Sequence, residues 1–237
     1  VELPAYRRKQ IDIFYPDEIQ RLAQMIMDEP TTTGIGILLT LNTGLRLGEL
    51  CALQYKDIDL RNGVIHITKT VQRIRSGDRT CLMVLPPKSD SARRTIPLPA
   101  ALLKKIIQSH PNGENYLLTG KSAPMEPRTM QYQYRTLLKA AGIPYRNFHV
   151  LRHTYASRCV ERGVDVKSLS EMLGHADVRT TLQVYVHSSL EHKMRVIQSI
   201  CFLAPALTTE VTPSPSPSGF PETPQYQQLL AAVSQMG

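Results

Sequence analysis

Every strand-like run in this 237-residue chain falls between Val64 and Leu98, and most of what lies outside that window carries a helical pattern. The runs Val64–Thr68, Val71–Ile74, Cys81–Leu85 and Thr95–Leu98 gather around the tight-turn dipeptide Asn62-Gly63. They predict a small antiparallel sheet. Upstream, Pro16, Asp17 and Glu18 suit a first helical turn, and Ile19, Leu22, Ala23 and Ile26 recur at helical spacing. The stretch from Gly34 to Leu41 reads as a buried helix stopped at Gly44, followed by a short helix with Arg46, Glu49, Leu50 and Leu53. From residue 99 onward the expected helices are 99–109, 127–141, 149–162, 166–173, 178–186 and 189–200. Gly142 and Gly163 read as their C-terminal caps, and Asp165 and Asp177 as N-caps. The expected fold class is α+β, mainly α: a helical domain with a small antiparallel β-sheet near its N-terminal half.

With 42% hydrophobic residues, the chain can bury a substantial core. Its 28 Lys and Arg against 20 Asp and Glu give a net charge of +8, which points to a polyanionic partner. The excess is uneven, because residues 202–237 hold no Lys or Arg and only Glu210 and Glu222 as acids. Residues 1–11, with the basic stretch Tyr6-Arg7-Arg8-Lys9, read as an interdomain linker, and a start at Val1 suggests a trimmed fragment of a longer protein. Residues 12–201 form the main domain. The tail 202–237 contains Pro213-Ser214-Pro215-Ser216-Pro217-Ser218-Gly219, an extended linker, and then Tyr226, Leu229, Leu230 and Val233 along one stripe of a short helix. Cys51, Cys81, Cys159 and Cys201 are scattered without a C-x-x-C pair, which fits thiols in a reducing compartment. No apolar run reaches membrane-spanning length and no signal peptide is visible, so the expectation is a cytoplasmic protein without a membrane partner.

The chemistry-bearing residues fall in four places. His149 and Arg152 lie three apart and share a helical face. An arginine presents a planar fork that matches two phosphate oxygens. Arg46 could hold the other side of the same phosphate, with Glu49 orienting it. His175 follows Leu173-Gly174 at a helix end, free to aim at a substrate oxygen, and Tyr185 is a potential oxygen nucleophile. His149 and His153 have zinc-like spacing, but no third ligand is evident, so neither a metal nor another cofactor is expected.

Arg46, His149-x-x-Arg152, Leu173-Gly174-His175 and Tyr185 resemble, in order and spacing, the catalytic signature of the tyrosine recombinases, the phage-integrase family. The Thr-Gly-Leu-Arg and Leu-Arg-His-Thr contexts agree, and the match covers roughly residues 12–200. The resemblance implies that residues 12–201 are a catalytic domain that cleaves and rejoins DNA by transesterification, with Tyr185 forming a 3′-phosphotyrosyl link. It places the family's catalytic lysine at Lys88, in Pro86-Pro87-Lys88-Ser89 before Arg93-Arg94-Thr95-Ile96-Pro97-Leu98, with Lys69 as the nearest competitor. Arg46, Arg152, His149 and His175 would bind the non-bridging oxygens, Lys88 would protonate the leaving oxygen, and His149 would take the tyrosine proton. A type IB topoisomerase and a non-enzymatic DNA-binding protein on the same fold are the alternative readings.

Helix 127–141 adds an argument for DNA. Met130, Tyr134, Leu137, Leu138 and Ala141 form an apolar face, and Arg128, Tyr132, Arg135 and Lys139 a basic one suited to phosphates. The implied partners are double-stranded recombination sites and other copies of the chain, as a homo-oligomer (a tetramer on two DNAs). The tail stripe and helix 189–200 are competing candidates for the contact between subunits.

Overall fold

The fold is organised around a helix that has almost no solvent side. The computed structural model describes residues 12–77, 79–87, 89–107, 113–185 and Met194. In it, α2 (Thr32–Thr43) buries Thr33, Ile35, Ile37, Leu39 and Thr40, so other elements must surround it. α1 (Pro16–Asp28), α4 (Ala100–Ile107), α5 (Pro127–Ala140) and α6 (His149–Glu161) do so. The buried hydroxyls of Thr40 and Thr43 donate to the carbonyls of Gly36 and Leu39, at 2.9 and 2.6 Å, so neither is left unpaired. At the start of α1, Glu18 accepts the Tyr15 N–H at 2.8 Å, the reach-back that closes a helix N-terminus. Arg146 then bridges Glu18 and Asp12 at 2.9 and 3.0 Å, and the Phe14 N–H donates to Thr154 on α6 at 3.0 Å. These bonds pin the beginning of the described chain to the helix that carries His149 and Arg152.

The expected single sheet is in fact two. β1 (Ile58–Asp59), β2 (Val64–Ile67) and β5 (Arg94–Pro97) form an antiparallel sheet in the order β1-β2-β5, with Ile65 opposite both Ile58 and Ile96. β3 (Thr70–Ser76) and β4 (Arg79–Leu85) pair only with each other, from Thr70 opposite Leu85 to Ser76 opposite Arg79. The division follows burial. Ile65, Ile67 and Ile96 face the core while His66 faces out, the alternation of a one-sided strand. In the hairpin Val71 is buried, whereas Met83 and Val84 are exposed. Between β2 and β3, Lys69 pairs with Asp57 at 3.0 Å. Arg73 grips Glu126 with two bonds, at 3.0 and 2.8 Å, and so ties the hairpin to the start of α5. The two-residue strand β1 is too short to leave a pattern in the sequence.

The remaining helices, α3 (Leu47–Ala52), α7 (Val166–Leu173) and α8 (Val178–Tyr185), start and stop close to where the sequence places them. Gly142 and Gly163 sit in the left-handed region just beyond α5 and α6. Asp165 accepts the Ser168 N–H, and Asp177 the Arg179 N–H, at 2.9 and 2.8 Å. The expected helix 189–200 and the tail stripe lie outside the described residues. The chain divides into two units, Val1–Val196 and Ile197–Gly237, and all described residues belong to the first. Among the described residues no helix is long and apolar enough to cross a membrane.

Gly44 ends α2 at φ +66°, and a Cβ there would come within 2.6 Å of the Tyr155 ring and 2.7 Å of the Leu173 side chain. Gly44→Ala is expected to cost at least the ~1–2 kcal/mol of a left-handed L-residue. Urea unfolding should show a lower midpoint at unchanged slope. An unshifted midpoint would refute this reading of the packing.

Candidate active site

The C-terminal end of α7 assembles the site. Gly174, at φ +63°, turns the chain so that its own N–H donates to the Glu171 carbonyl, and the His175 N–H to the Ser170 carbonyl, at 3.0 and 3.1 Å. This Schellman turn satisfies two of the last carbonyls and leaves the next three without backbone donors. Arginines from three different elements take them. Arg94 of β5 donates Nε–H to Met172 O at 2.7 Å, Arg152 of α6 donates to Leu173 O at 2.7 Å, and Arg46, preceding α3, donates to Gly174 O at 2.9 Å. A cation at a helix C-terminus is favoured by the macrodipole, and here three share one terminus.

Glu49 on α3 links two of these arginines. One carboxylate oxygen accepts from Arg46 Nη1 and Arg94 Nη1, at 2.9 and 3.0 Å. The other accepts from the Arg46 backbone N–H and Arg94 Nη2, at 2.9 and 2.8 Å. Burial pushes the Glu49 carboxyl up, but the bonds and charges of Arg94 and Arg46 outweigh it and hold the pKa below the ordinary value. Arg94 is 95% buried along its side chain and gives a further bond to Ala92 O at 3.1 Å, so at least four of its five N–H donors are engaged within the protein. Arg152 is also buried, with Nη1 on Gly44 O at 2.7 Å, and among the described residues it uses only two of its five N–H donors. Burial and the neighbouring Arg46 bring its pKa down to about 9, so it remains charged at neutral pH. The Arg46 side chain is 37% exposed.

Both histidines lie in reach of these charges. His149 opens α6 with its backbone N–H on Asn147 Oδ1 at 3.0 Å, and its ring meets that of His153 edge-on with centroids 4.6 Å apart. Desolvation, then His153, Arg152 and Arg46, bring its pKa down to about 4. Desolvation, then Arg152, Arg46 and Arg94, bring His175 down to about 4 as well, and its Nδ1 lies 2.7 Å from Thr181 Oγ1. Near pH 7 both rings are therefore neutral, each with one N–H and one lone pair. Two arginine forks with free N–H groups and two neutral imidazoles can together hold a tetrahedral oxyanion.

Of the residues singled out in the sequence, Arg46, Glu49, His149, Arg152 and His175 are brought together. Tyr185 is the last residue of α8, and its side chain lies outside the described residues, as does Lys88. The neighbours of Lys88, Pro87 and Ser89, line a cavity of about 250 Å³ that opens beside Arg46 and Gly174. Lys69 is instead engaged by Asp57 and Gln54. Arg128, Tyr132, Arg135 and Lys139 are exposed on α5, opposite the buried Met130, Tyr134 and Leu138. Arg135 stacks over the Tyr145 ring at 5.0 Å, and Gln131 of the same helix lines a cavity with His149. Among the described residues no His, Cys, Asp and Glu cluster could hold a metal. Sequence reasoning missed Arg94 as part of the site, because nothing in its local spacing points to a carboxylate 45 residues away.

Comparison with known proteins follows the same lines. Residues 12–192 match the model of the phage integrase family. The chain is 28% identical over 214 residues to a XerC-like tyrosine recombinase of Caldanaerobacter subterraneus subsp. tengcongensis, covering 81% of this chain and 54% of that protein. It is 32% identical over 189 residues to the tyrosine recombinase XerA of Saccharolobus solfataricus, covering 80% and 56%. The crystal structure of a XerA recombinase superposes with a TM-score of 0.60 at 26% identity, over 84% of this chain and 66% of that one. The Tn1549 transposon integrase, solved in complex with a circular intermediate DNA, shares the fold with a TM-score of 0.67 at 21% identity, over 82% and 67%. The chain spans just over half the length of the two curated relatives.

The Arg94–Glu49 pair generates a pH prediction. Glu49 has a folded pKa below its unfolded value of roughly 4.3, so its contribution is complete above that pH and is lost as pH falls through the folded value. Arg94→Met should cost about 3–5 kcal/mol at pH 7, because it leaves a buried carboxylate short of partners. The loss should shrink below about pH 4, where that carboxylate can take a proton. Urea midpoints of both proteins between pH 7 and pH 3 test this, and a pH-independent difference counts against it.

Proposed function

The chain belongs to the phage integrase family, and from that premise we propose that it is the catalytic part of a site-specific DNA recombinase. Its chemistry is transesterification. The Tyr185 oxygen attacks a DNA phosphorus, and the new O–P bond forms as the bond to the 5′-oxygen breaks. The products are a 3′-phosphotyrosyl link and a 5′-hydroxyl. The phenol proton goes to His149 and Lys88 protonates the departing oxygen, since a phenol of pKa about 10 is a weak nucleophile until deprotonated. A 5′-hydroxyl from a partner DNA reverses the step, so the bond energy is retained and no cofactor is needed.

The observation that carries this reading is the seating of Arg46 and Arg152 on adjacent carbonyls, Gly174 and Leu173. It keeps two forks side by side, with donors that no described residue uses. With Arg94 and Glu49 the cluster holds three cations against one anion, an excess that suits the doubly negative transition state of phosphodiester transfer. Lys88 is favoured over Lys69 because its neighbours line the cavity beside Arg46, whereas Lys69 is already paired.

DNA contact is assigned to the exposed face of α5, with Arg128, Tyr132, Arg135 and Lys139 reaching phosphates. The working assembly is a tetramer on two duplexes inside the cell, with either residues 189–200 or the tail stripe of Tyr226, Leu229, Leu230 and Val233 making the contacts between subunits. The net charge of +8 and the circular intermediate DNA bound by the Tn1549 transposon integrase support the DNA contact.

Two experiments test the proposal. On a nicked suicide substrate the chain should form a covalent adduct, and Tyr185→Phe should bind DNA equally well but form none. Transfer between two differently marked duplexes distinguishes recombination from topoisomerase-like religation of one strand. No adduct from the unaltered chain, or adduct from Tyr185→Phe, removes the assignment. For DNA contact, Arg128→Ala and Lys139→Ala should each lower the slope of log K against log salt by about 1, the loss of one phosphate contact. Unchanged slopes would move the interface elsewhere.

A further inference from the structure

Thr181 has no part in the chemistry above, yet among the described residues of α8 it is the one whose side chain hydrogen-bonds a residue of the cluster. It is wholly excluded from solvent, and its Oγ1 lies 2.7 Å from His175 Nδ1. Among the described residues that nitrogen is its only hydrogen-bond partner. A buried hydroxyl carries one proton, and leaving that proton unbonded is costly. The economical arrangement is for the hydroxyl to donate to Nδ1, which requires Nδ1 to be the unprotonated nitrogen. The ring is neutral near pH 7, with desolvation and the three nearby arginines holding its pKa near 4. Its single proton must then sit on Nε2. From the arrangement of these atoms we infer that Thr181 is a positioning residue that fixes His175 as the Nε2–H tautomer.

This tautomer decides what His175 can do. With the proton on Nε2, the imidazole is a hydrogen-bond donor at that nitrogen, available to a phosphate oxygen, and has no lone pair there to act as a base. The opposite tautomer would place a lone pair against the same oxygen and repel it. Arg46, Arg94 and Arg152 bring positive charge to bear on the ring, and Glu49 is engaged by two of them, so among the described residues no carboxylate competes for the Nε2 proton. The same bond connects the cluster to α8, which ends at Tyr185 one helical turn beyond Thr181. The donor and the nucleophile helix thus share one hydrogen bond. The inference deepens the recombinase reading and rests on it for the meaning of the phosphate.

Nitrogen-15 NMR of histidine-labelled chain tests it, with the His175 signals assigned by their loss in His175→Asn. The full chain at pH 7 should show the Nε2–H tautomer at His175. Thr181→Ser should keep it, and the nearly isosteric Thr181→Val should convert part or all of it to Nδ1–H. An Nδ1–H ring in the unaltered chain overturns the inference by itself, even if Thr181→Val does not fold. So does an unchanged tautomer in a folded Thr181→Val protein. On a suicide substrate Thr181→Val should bind DNA normally and cleave more slowly, by up to the ~10²–10³-fold loss of one preorganised donor, with Thr181→Ser near full rate. An altered tautomer with full cleavage would reject the positioning role. If the unaltered chain forms no adduct, the recombinase reading fails, and the NMR result still judges the tautomer.

Discussion

Three consecutive peptide carbonyls, those of Met172, Leu173 and Gly174, set the geometry on which the rest of the site depends. They are the leftover acceptors of a helix end, made available because a Schellman turn satisfies the two before them and points these three outward. Each draws an arginine from a different part of the chain. The partial negative charge of the helix terminus offsets the repulsion among three cations packed in one place. A fourth carbonyl, of Gly44 at the end of α2, holds the other side of the Arg152 fork. The ends of α2 and α7, the beginning of α3, strand β5 and helix α6 therefore meet at one point.

The arginines do not play equal parts there. Arg94 gives its donors to Glu49, Met172 and Ala92 and acts as a strut. Among the described residues Arg46 and Arg152 each keep unused donors, and their forks are held in orientation by protein carbonyls. Exposed ion pairs contribute little to stability. A buried carboxylate between two guanidiniums is a different case, because the loss of either partner leaves a charge in a low-dielectric place. Glu49 thus commits α3 and β5 to a fixed relation, and the direction of Arg46 follows from it.

The histidines show how the same field sets protonation as well as position. Desolvation and adjacent cations depress both His149 and His175, so neither adds positive charge to a crowded cluster at neutral pH. A neutral imidazole can either donate or accept at a given nitrogen, and its other nitrogen's partner decides which. His175 has the Thr181 hydroxyl at Nδ1, whereas His149 meets the edge of His153. Two identical side chains thereby meet different partners, and under the proposed chemistry one would donate to an oxyanion and the other accept a proton.

What the sequence determined by itself was everything that depends on neighbours a few residues apart. Helical periodicity placed α5 with its apolar and basic faces. Asp165 marked the start of α7, Gly44 the end of α2, and the three-residue spacings Arg46–Glu49 and His149–Arg152 put like-minded side chains on shared turns. Residue identity and order also sufficed for the family resemblance. Tertiary structure alone decided which strands pair, because short apolar runs of similar composition do not encode their partners; only burial of Ile65, Ile67 and Ile96 against the core separates the sheet from the exposed hairpin. It also decided that Arg94 braces Glu49 across 45 residues and that Arg152 reaches Gly44 across 108. Those bonds go to a distant carboxylate and to a backbone carbonyl, and a backbone acceptor has no side-chain identity for a sequence to display. It becomes available only once the folded chain leaves it unpaired.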